Sequence, residues 1–502
     1  MDAGQGFIAG SIDFMVALFV FLMGLGVLVV LIVYIIDVTQ SRKTILRNYP
    51  VIGHFRYLFE YLGEFFRQYF FAMDREELPF NRAQRNWCDR ASNNAINTVA
   101  FGSTKDLRRT GSVLFINSPF PVLEEDKAES QPITFGQYCA TPYTTDAFFS
   151  ISGMSYGALS KPAVQALASG AKKAGIWMNT GEGGASPYHL EAGCDLVFQI
   201  GTAKNGVRDF DGNLDDERLK EMASKDQVKM FEIKLSQGAK PGKGGILPGK
   251  KVTEEIAKIR NIRPGEDAIS PNRHKDISTN SDLLDMIERI RSVTGKPVGF
   301  KAVISDESWL DDLFSEIIER GAESAPDFIT VDSSDGGTGA APLALIDDMG
   351  IPLRESLPIL VDSLNQYGLR DRIKVIASGK LVTPADVAWA LCLGADACVS
   401  ARGFMFALGC IQALQCNKNT CPTGITTHDE SLQKGLIPQA KSERVAHYAR
   451  NMVHEVGIIA HSCGVAGPRG LNRTHARVVT DNGRSIRLDR LYEQRSVAKE
   501  LA

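Results

Sequence analysis

Cys410, Cys416 and Cys421 stand within twelve residues as C-x5-C-x4-C-P, in a chain of 502 residues that contains nine cysteines in all. Thiolates at such spacing are ligands for soft metals. Zinc sites are usually built from CxxC pairs and four ligands, and no second pair follows here. Two-iron and four-iron clusters usually take four cysteines. Three thiolates suit a cluster that lacks one iron, and buried, unliganded cysteines are the alternative. The other six cysteines, Cys88, Cys139, Cys194, Cys392, Cys398 and Cys463, are scattered and read as core or incidental positions in a reduced compartment.

A second group of residues could bind a phosphorylated cofactor. Ser378-Gly379-Lys380 and Arg402-Gly403 end two successive apolar runs, and Asp335-Gly336-Gly337-Thr338-Gly339 ends the run before them. Glycines let backbone N–H groups approach a ligand closely. Such tandem turns could seat the phosphate of a flavin mononucleotide on Gly379, Lys380, Arg402 and Gly403, or could simply be tight turns. No GxGxxG follows an early strand, so dinucleotide binding of the Rossmann kind is unsupported. Further candidate cofactor-binding positions close other apolar runs, Ser152, Met154 and Ser155 in SGMSYGALS, Lys234 and Gln237 in KLSQGAKPGKGG, and Lys301, while Glu182 in NTGEGG and Lys240 are candidate catalytic residues.

These positions need a scaffold that brings strand ends together. Eight short apolar runs, at 148–154, 176–180, 196–201, 229–234, 297–303, 327–332, 373–378 and 397–402, alternate with helical patterns. That alternation predicts a parallel sheet covered on both faces. Eight runs predict an α/β fold of the closed (β/α)8 TIM-barrel type, whose active site lies at the C-terminal strand ends. An open, doubly wound sheet is the alternative. About sixty residues separate Lys234 from Pro297, a connection long enough to carry function of its own.

The N-terminus reads differently. Phe14 to Ile36 is a run of 23 residues without a charge, which as a helix spans about 34 Å against a hydrocarbon core of roughly 30 Å. Asp2 and Asp13 precede it, no small-residue cleavage site follows, and Arg42, Lys43 and Arg47 flank its far end. A single-pass anchor in the inner (cytoplasmic) membrane with a cytoplasmic body is therefore expected, rather than a signal peptide. Residues 51–73 are dense in aromatics and read either as an interfacial helix or as a helix packed on the body. The second is favoured because the aromatics do not keep to one face. The net charge of -3 and the lack of a basic patch give no indication of nucleic acid. The expected organisation is an anchor over 1–45, an aromatic-rich helical region over 46–130, a barrel over 131–475 with its cysteine loop at 410–421, and a C-terminal tail over 476–502.

ISGMSYGALS, NTGEGG, IKLSQGAKPGKGGILPGKKV, DSSDGGTGAAP and CIQALQCNKNTCPTG together resemble the FMN-binding domain of the glutamate synthase large chain, over about residues 130–470. The resemblance implies FMN and a 3Fe–4S cluster held by Cys410, Cys416 and Cys421, and reduction of 2-iminoglutarate, formed from 2-oxoglutarate and ammonia, to glutamate. It implies that Lys240 lies between flavin and cluster, that Lys234 and Lys301 lie along the flavin, and that Arg260 holds the 2-oxoglutarate carboxylate. Glu182 could exchange protons with the imine nitrogen. Two positions depart from the family: Lys243 stands for its Glu, and Ile246 for the Gln after QGAKPGEGG. The family's glutamine amidotransferase, β-helical and pyridine-nucleotide domains are not expected. Ammonia would then come from solution or a separate subunit, and electrons from ferredoxin or a reductase subunit. Another 2-oxo or imino acid as substrate, or an electron-transfer subunit without its own small substrate, are the alternatives.

Overall fold

The computed structural model describes residues 2–492 apart from 129, 248, 250 and 251; the last ten residues of the expected tail lie outside the described set. The chain divides into two compact units, residues 1–83 and 84–502.

In the first unit one helix, Asp2–Thr39, contains the segment Gly10–Thr39, which is long and apolar enough to cross a membrane by length and composition. Most of the apolar side chains described between Gly10 and Thr39 are exposed. A short helix, Thr44–Asn48, leads to a third, Gly53–Phe66, which runs on as a wider turn over Arg67–Phe71.

The second unit is built on a closed parallel barrel. Its strands are β1 (Phe149–Ile151), β2 (Met178–Asn179), β3 (Leu196–Ile200), β4 (Val228–Lys234), β5 (Val298–Val303), β6 (Phe328–Asp332), β7 (Lys374–Ser378) and β8 (Ala397–Ser400). Each pairs with the next, and β8 closes on β1 through Val399 opposite Ser150. Strands covered on both faces are largely apolar rather than alternating, and every residue of β1, β2, β3, β6 and β8 is buried. This is the α/β TIM barrel expected from the eight apolar runs, and the open-sheet alternative falls away.

An antiparallel hairpin, Ile133–Phe135 with Tyr143–Thr145, stops the N-terminal end of the barrel. Phe135 meets Trp177 edge-on at 6.0 Å and Phe328 at 5.8 Å, next to the starts of β2 and β6. With that end filled, ligands can enter only from the C-terminal strand ends.

The helices follow local signals. Lys161–Ala174 starts on Ser160, whose hydroxyl accepts the Ala163 N–H, and ends at Gly175 in the left-handed region. It packs on the 25-residue helix Pro438–Ser462 so closely that a Cβ on Gly170 would lie 2.4 Å from Val445. The long connection between β4 and β5 holds a two-stranded hairpin, Ile246–Leu247 with Ala268–Ile269, the helix Glu254–Arg260 capped by Thr253, and the helix Asn280–Thr294. Residues 476–479, assigned to the tail by sequence, form a strand paired with Val113–Phe115 and with Ser485–Arg487.

Candidate active site

Polar side chains stand out first inside the barrel, where the strands are otherwise apolar. Glu232 of β4 is buried and accepts from Asn179 Nδ2 at 2.8 Å, Gln199 Nε2 at 2.7 Å and Thr330 Oγ1 at 2.6 Å. A buried carboxylate is tolerated only when its lone pairs are filled in this way. Beside it, Lys301 of β5 is buried and ion-paired to Asp332 Oδ2 at 3.1 Å. Burial alone would weaken its charge, but the carboxylates of Asp332 and Glu232 outweigh burial and hold the ammonium above its ordinary value.

Above this floor opens a cleft of about 530 Å³ at the C-terminal strand ends. Ser152, Lys234, Gln237, Lys301, Gly336 and Gly337 line it, together with Ser378, Gly379, Lys380 and Arg402. Two glycines are required by close approach: a Cβ on Gly379, whose φ is 138°, would meet Ser333 Oγ at 2.6 Å, and one on Gly337 would meet Arg402 Nε at 2.7 Å. Arg402 donates to the Asp335 carbonyl, and Lys380 Nζ stands 3.5 Å from Asp335 Oδ1. Asp335 thus fixes both cations at the rim, and its other oxygen accepts the Leu353 N–H at 3.0 Å. Two cations converging on a glycine-lined cleft form an anion seat. Gly403 does not line the cleft; its N–H meets Ser400 Oγ at 3.3 Å, and a Cβ there would lie 2.1 Å from the Tyr448 hydroxyl.

A second cavity of about 310 Å³ adjoins the first and shares Lys234 and Gln237 with it. Its wall includes Glu182, Lys240 and Lys243. Lys234 Nζ donates to Glu182 Oε2 at 3.0 Å and to Gln237 Oε1 at 2.7 Å, and Gln237 Nε2 reaches Thr338 Oγ1 at 3.3 Å. Burial pushes the Glu182 carboxyl up, yet Lys234, Lys240 and Arg260 together hold it below the usual carboxylate range. Burial, with Lys234 and Lys243 nearby, lowers the Lys240 ammonium.

Arg260 lies at the end of its helix, buried, donating from Nη2 to the Tyr156 carbonyl at 3.2 Å. Its Nε is buried without a hydrogen-bond partner, an orphaned donor of the kind a carboxylate fills. The turn bearing Met154 and Ser155 packs on Gly181, next to Glu182; a Cβ on Gly181 would meet Ser155 N at 2.5 Å. Glu255, on the Arg260 helix, accepts from Tyr156 Oη at 2.6 Å and Tyr188 Oη at 2.5 Å, which clamps that helix to the turn after β1.

The cysteine loop follows the short helix Arg402–Leu408 after β8. Gln412, Leu414 and Asn419 all take positive φ, at 58°, 55° and 62°, conformations that non-glycine residues adopt at a cost. Gln412 N–H points to Cys410 Sγ at 3.4 Å, and Thr423 Oγ1 lies 3.4 Å from Cys421 Sγ. Burial lifts the Cys410 thiol to about 11, with Cys416 and Cys421 contributing. For Cys421 burial acts upward as well, but hydrogen bonds from Thr423 and Thr426 outweigh it and bring the thiol down to about 7. Among the described residues no three His, Cys, Asp or Glu side chains are grouped to hold one metal ion; a cubane instead spreads its thiolates over separate irons. Lys240 Nζ donates to the Ala340 carbonyl at 3.2 Å, and a Cβ on the neighbouring Gly339 would lie 4.0 Å from Cys416 Cβ. Lys240 thus lines the second cavity and bonds the segment that passes Cys416.

Sequence reasoning did not single out Asn179, Gln199, Glu232, Thr330 or Asp332. Their signal was a polar residue inside an apolar strand run, as Glu232 is in KMFEIK. It also missed His274, whose Nε2 lies 3.1 Å from the Lys234 carbonyl and whose imidazole is brought down to about 4, chiefly by burial, so that it is neutral at pH 7.

Residues 92–466 match the family model described as the conserved region in glutamate synthase. The chain is 39% identical to the glutamate synthase large subunit-like protein YerD of Bacillus subtilis, over 95% of this chain and 98% of that protein. It is 35% identical to the archaeal glutamate synthase (NADPH) of Methanocaldococcus jannaschii, over 67% of this chain and 63% of that one. It is 33% identical to the chloroplastic ferredoxin-dependent glutamate synthase of Spinacia oleracea, over 63% of this chain but 20% of that one.

Proposed function

The chain belongs to the glutamate synthase family and is a glutamate synthase-type oxidoreductase; from that premise we propose that it reduces 2-iminoglutarate, formed from 2-oxoglutarate and ammonia, to glutamate, using FMN and a 3Fe–4S cluster. It would then act on the CH–NH2 bond of its product in the reverse direction. The observation that carries this reading is the pair of adjoining cavities that share Lys234 and Gln237, one lined by the glycine turns with Lys380 and Arg402 and the other by Glu182, Lys240 and Lys243.

Lys380, Arg402 and the Gly379 turn would hold the cofactor phosphate, Lys301 and Lys234 its ring system, and Cys410, Cys416 and Cys421 the cluster. When bound, these groups supply a hydride and the electrons that renew it. The remaining work falls to the chain's own side chains. Arg260 offers an unfilled donor to a substrate carboxylate. Glu182, held ionised and oriented by Lys234, would relay a proton from Lys234 to the imine nitrogen. Lys240 and Lys243 add positive charge for a dicarboxylate. Two electrons and two protons convert the imine to the amine, so hydride transfer must be matched by one proton from this wall.

Electrons would come from ferredoxin or a reductase subunit, and ammonia from solution or a partner. Gly10–Thr39 would anchor the protein to the cytoplasmic membrane. A second reading, another 2-oxo or imino acid as substrate, is favoured by Lys243 in the wall of the smaller cavity. Anaerobically reduced protein should be reoxidised, by its flavin absorbance, on adding 2-oxoglutarate with ammonium. Reoxidation only by a different 2-oxo acid would select the second reading, and none by any would reject both.

A further inference from the structure

We propose that the helix Gly53–Phe66 and the aromatic turn after it lie in the headgroup layer of a lipid bilayer, with their aromatic stripe among the upper acyl chains. The proposal rests on reading Gly10–Thr39 as a membrane span. The aromatics of residues 51–73 do not all keep to one face, but in the helical register of 53–66 phenylalanines and leucines share a face while Tyr57 and Tyr61 fall away from it. Phe55, Leu58, Phe59, Leu62 and Phe66 fall at i, i+3, i+4, i+7 and i+11, a single stripe, while Arg56, Tyr57 and Glu60 fall on the other side. Phe55, Phe59 and Phe66 are 54%, 66% and 46% exposed, and Phe70 and Phe71 continue the surface beyond the helix. Aromatic side chains left in this density on one face need an apolar cover.

Depth decides what covers them. Asp37 is the first charge after the 23-residue apolar run, so it marks the level where hydrocarbon gives way to headgroups. Its carboxylate is 2% exposed, accepting the Val51 N–H at 2.9 Å and meeting His54 Nε2 at 2.9 Å. Those two bonds bring the start of the aromatic helix back to the end of the span. The helix therefore begins at headgroup depth, where lipid is the apolar cover within reach of its stripe. Lys43, over the Tyr57 ring at 4.4 Å, and Arg42, Arg47 and Arg56 supply the cations that anionic headgroups attract.

The test uses the full chain reconstituted in mixed phosphatidylcholine and phosphatidylglycerol vesicles. Phe59→Trp places a reporter in the stripe and Glu60→Trp places one opposite; parent emission is subtracted from each. Lipids brominated at shallow acyl positions should quench the Phe59→Trp reporter roughly twofold or more, as expected of a side chain at the acyl boundary. Aqueous iodide should quench the Glu60→Trp reporter instead. Flotation separates the two ways of failing. Protein that floats with vesicles while iodide quenches the Phe59→Trp reporter overturns the interfacial helix and leaves the span. Protein that floats while neither quencher reaches that reporter overturns it in favour of a protein partner or second copy. Protein that does not float removes the span and the proposal together.

Discussion

Lys234 and Glu182 are joined by an ion pair of 3.0 Å that ties the last residue of β4 to the turn after β2. Glu182 is held as a carboxylate by this and two further cations although burial works against it. Its folded-state value lies below its ordinary 4.5, so the pair's stabilisation is complete above that pH and is lost as pH falls through the depressed value. Glu182→Gln should therefore make thermal stability fall less steeply with acid below pH 4.5, the unfolded reference. The same variant should lower kcat by roughly a hundredfold, the low end of what a positioned acid–base group contributes, because the ionised carboxylate can relay a proton and the amide cannot, while FMN content stays near that of the parent. A kcat within twofold or so of the parent, measured with ammonium as nitrogen source, would exclude Glu182 from proton transfer.

Arg260 should matter for affinity. Its buried Nε and its Nη2 bond to Tyr156 leave a planar fork with one side unfilled. Arg260→Lys keeps the charge but loses bidentate geometry, which should raise KM for 2-oxoglutarate by about ten- to a hundredfold, the value of a charge-assisted hydrogen bond. Monocarboxylate and dicarboxylate substrates compared in both proteins would show whether Arg260 or Lys243 reads the distal carboxylate.

What could be read from the sequence follows from how parallel barrels are buried. All eight apolar runs became strands, because a strand covered on both faces cannot alternate. The glycine turns at Gly337 and Gly379 were visible as motifs, and the structure adds the reason: Arg402 Nε and Ser333 Oγ occupy the space a side chain would need. The long connection was visible only as a length. Its helix at Glu254–Arg260 is held by Tyr156 and Tyr188 through Glu255, a pairing across 99 and 67 residues that no local pattern encodes. Gly403 was read as a phosphate turn, whereas its Cα faces Tyr448, 45 positions away in sequence and invisible to motif reasoning.

That packing gives a stability prediction independent of catalysis. Gly403→Ala would place a methyl 2.1 Å from the Tyr448 hydroxyl and 2.8 Å from Ser400 Oγ. Overpacking of this kind costs about 1–3 kcal/mol. Tyr448→Phe alone removes the hydroxyl's 2.9 Å bond to the Val382 carbonyl, at about 1 kcal/mol. Because it also removes the atom in the way, the double variant should be more stable than the sum of the two losses. Denaturant unfolding of the four proteins measures that coupling, and simple additivity would mean the backbone had moved aside.

The cysteine loop yields the sharpest chemical test. Three residues with positive φ and a Gln412 N–H aimed at Cys410 shape the loop around its three sulfurs, of which Cys421 is buried and Cys410 and Cys416 are half-buried. Cys410, Cys416 and Cys421 can fill three corners of a cubane, whereas zinc would want a fourth ligand. Cys416→Ser should thus lose iron and acid-labile sulfide. FMN should be retained, because the cleft that would hold it is lined by residues 152–402 and by none of the three cysteines. Oxidised parent protein should give the paramagnetic signal of a three-iron centre, and that signal should vanish on one-electron reduction. Stoichiometric zinc without sulfide in the parent would refute the cluster. Loss of FMN along with iron in the variant would mean instead that the loop supports the cleft, through the close approach of Cys416 to Gly339.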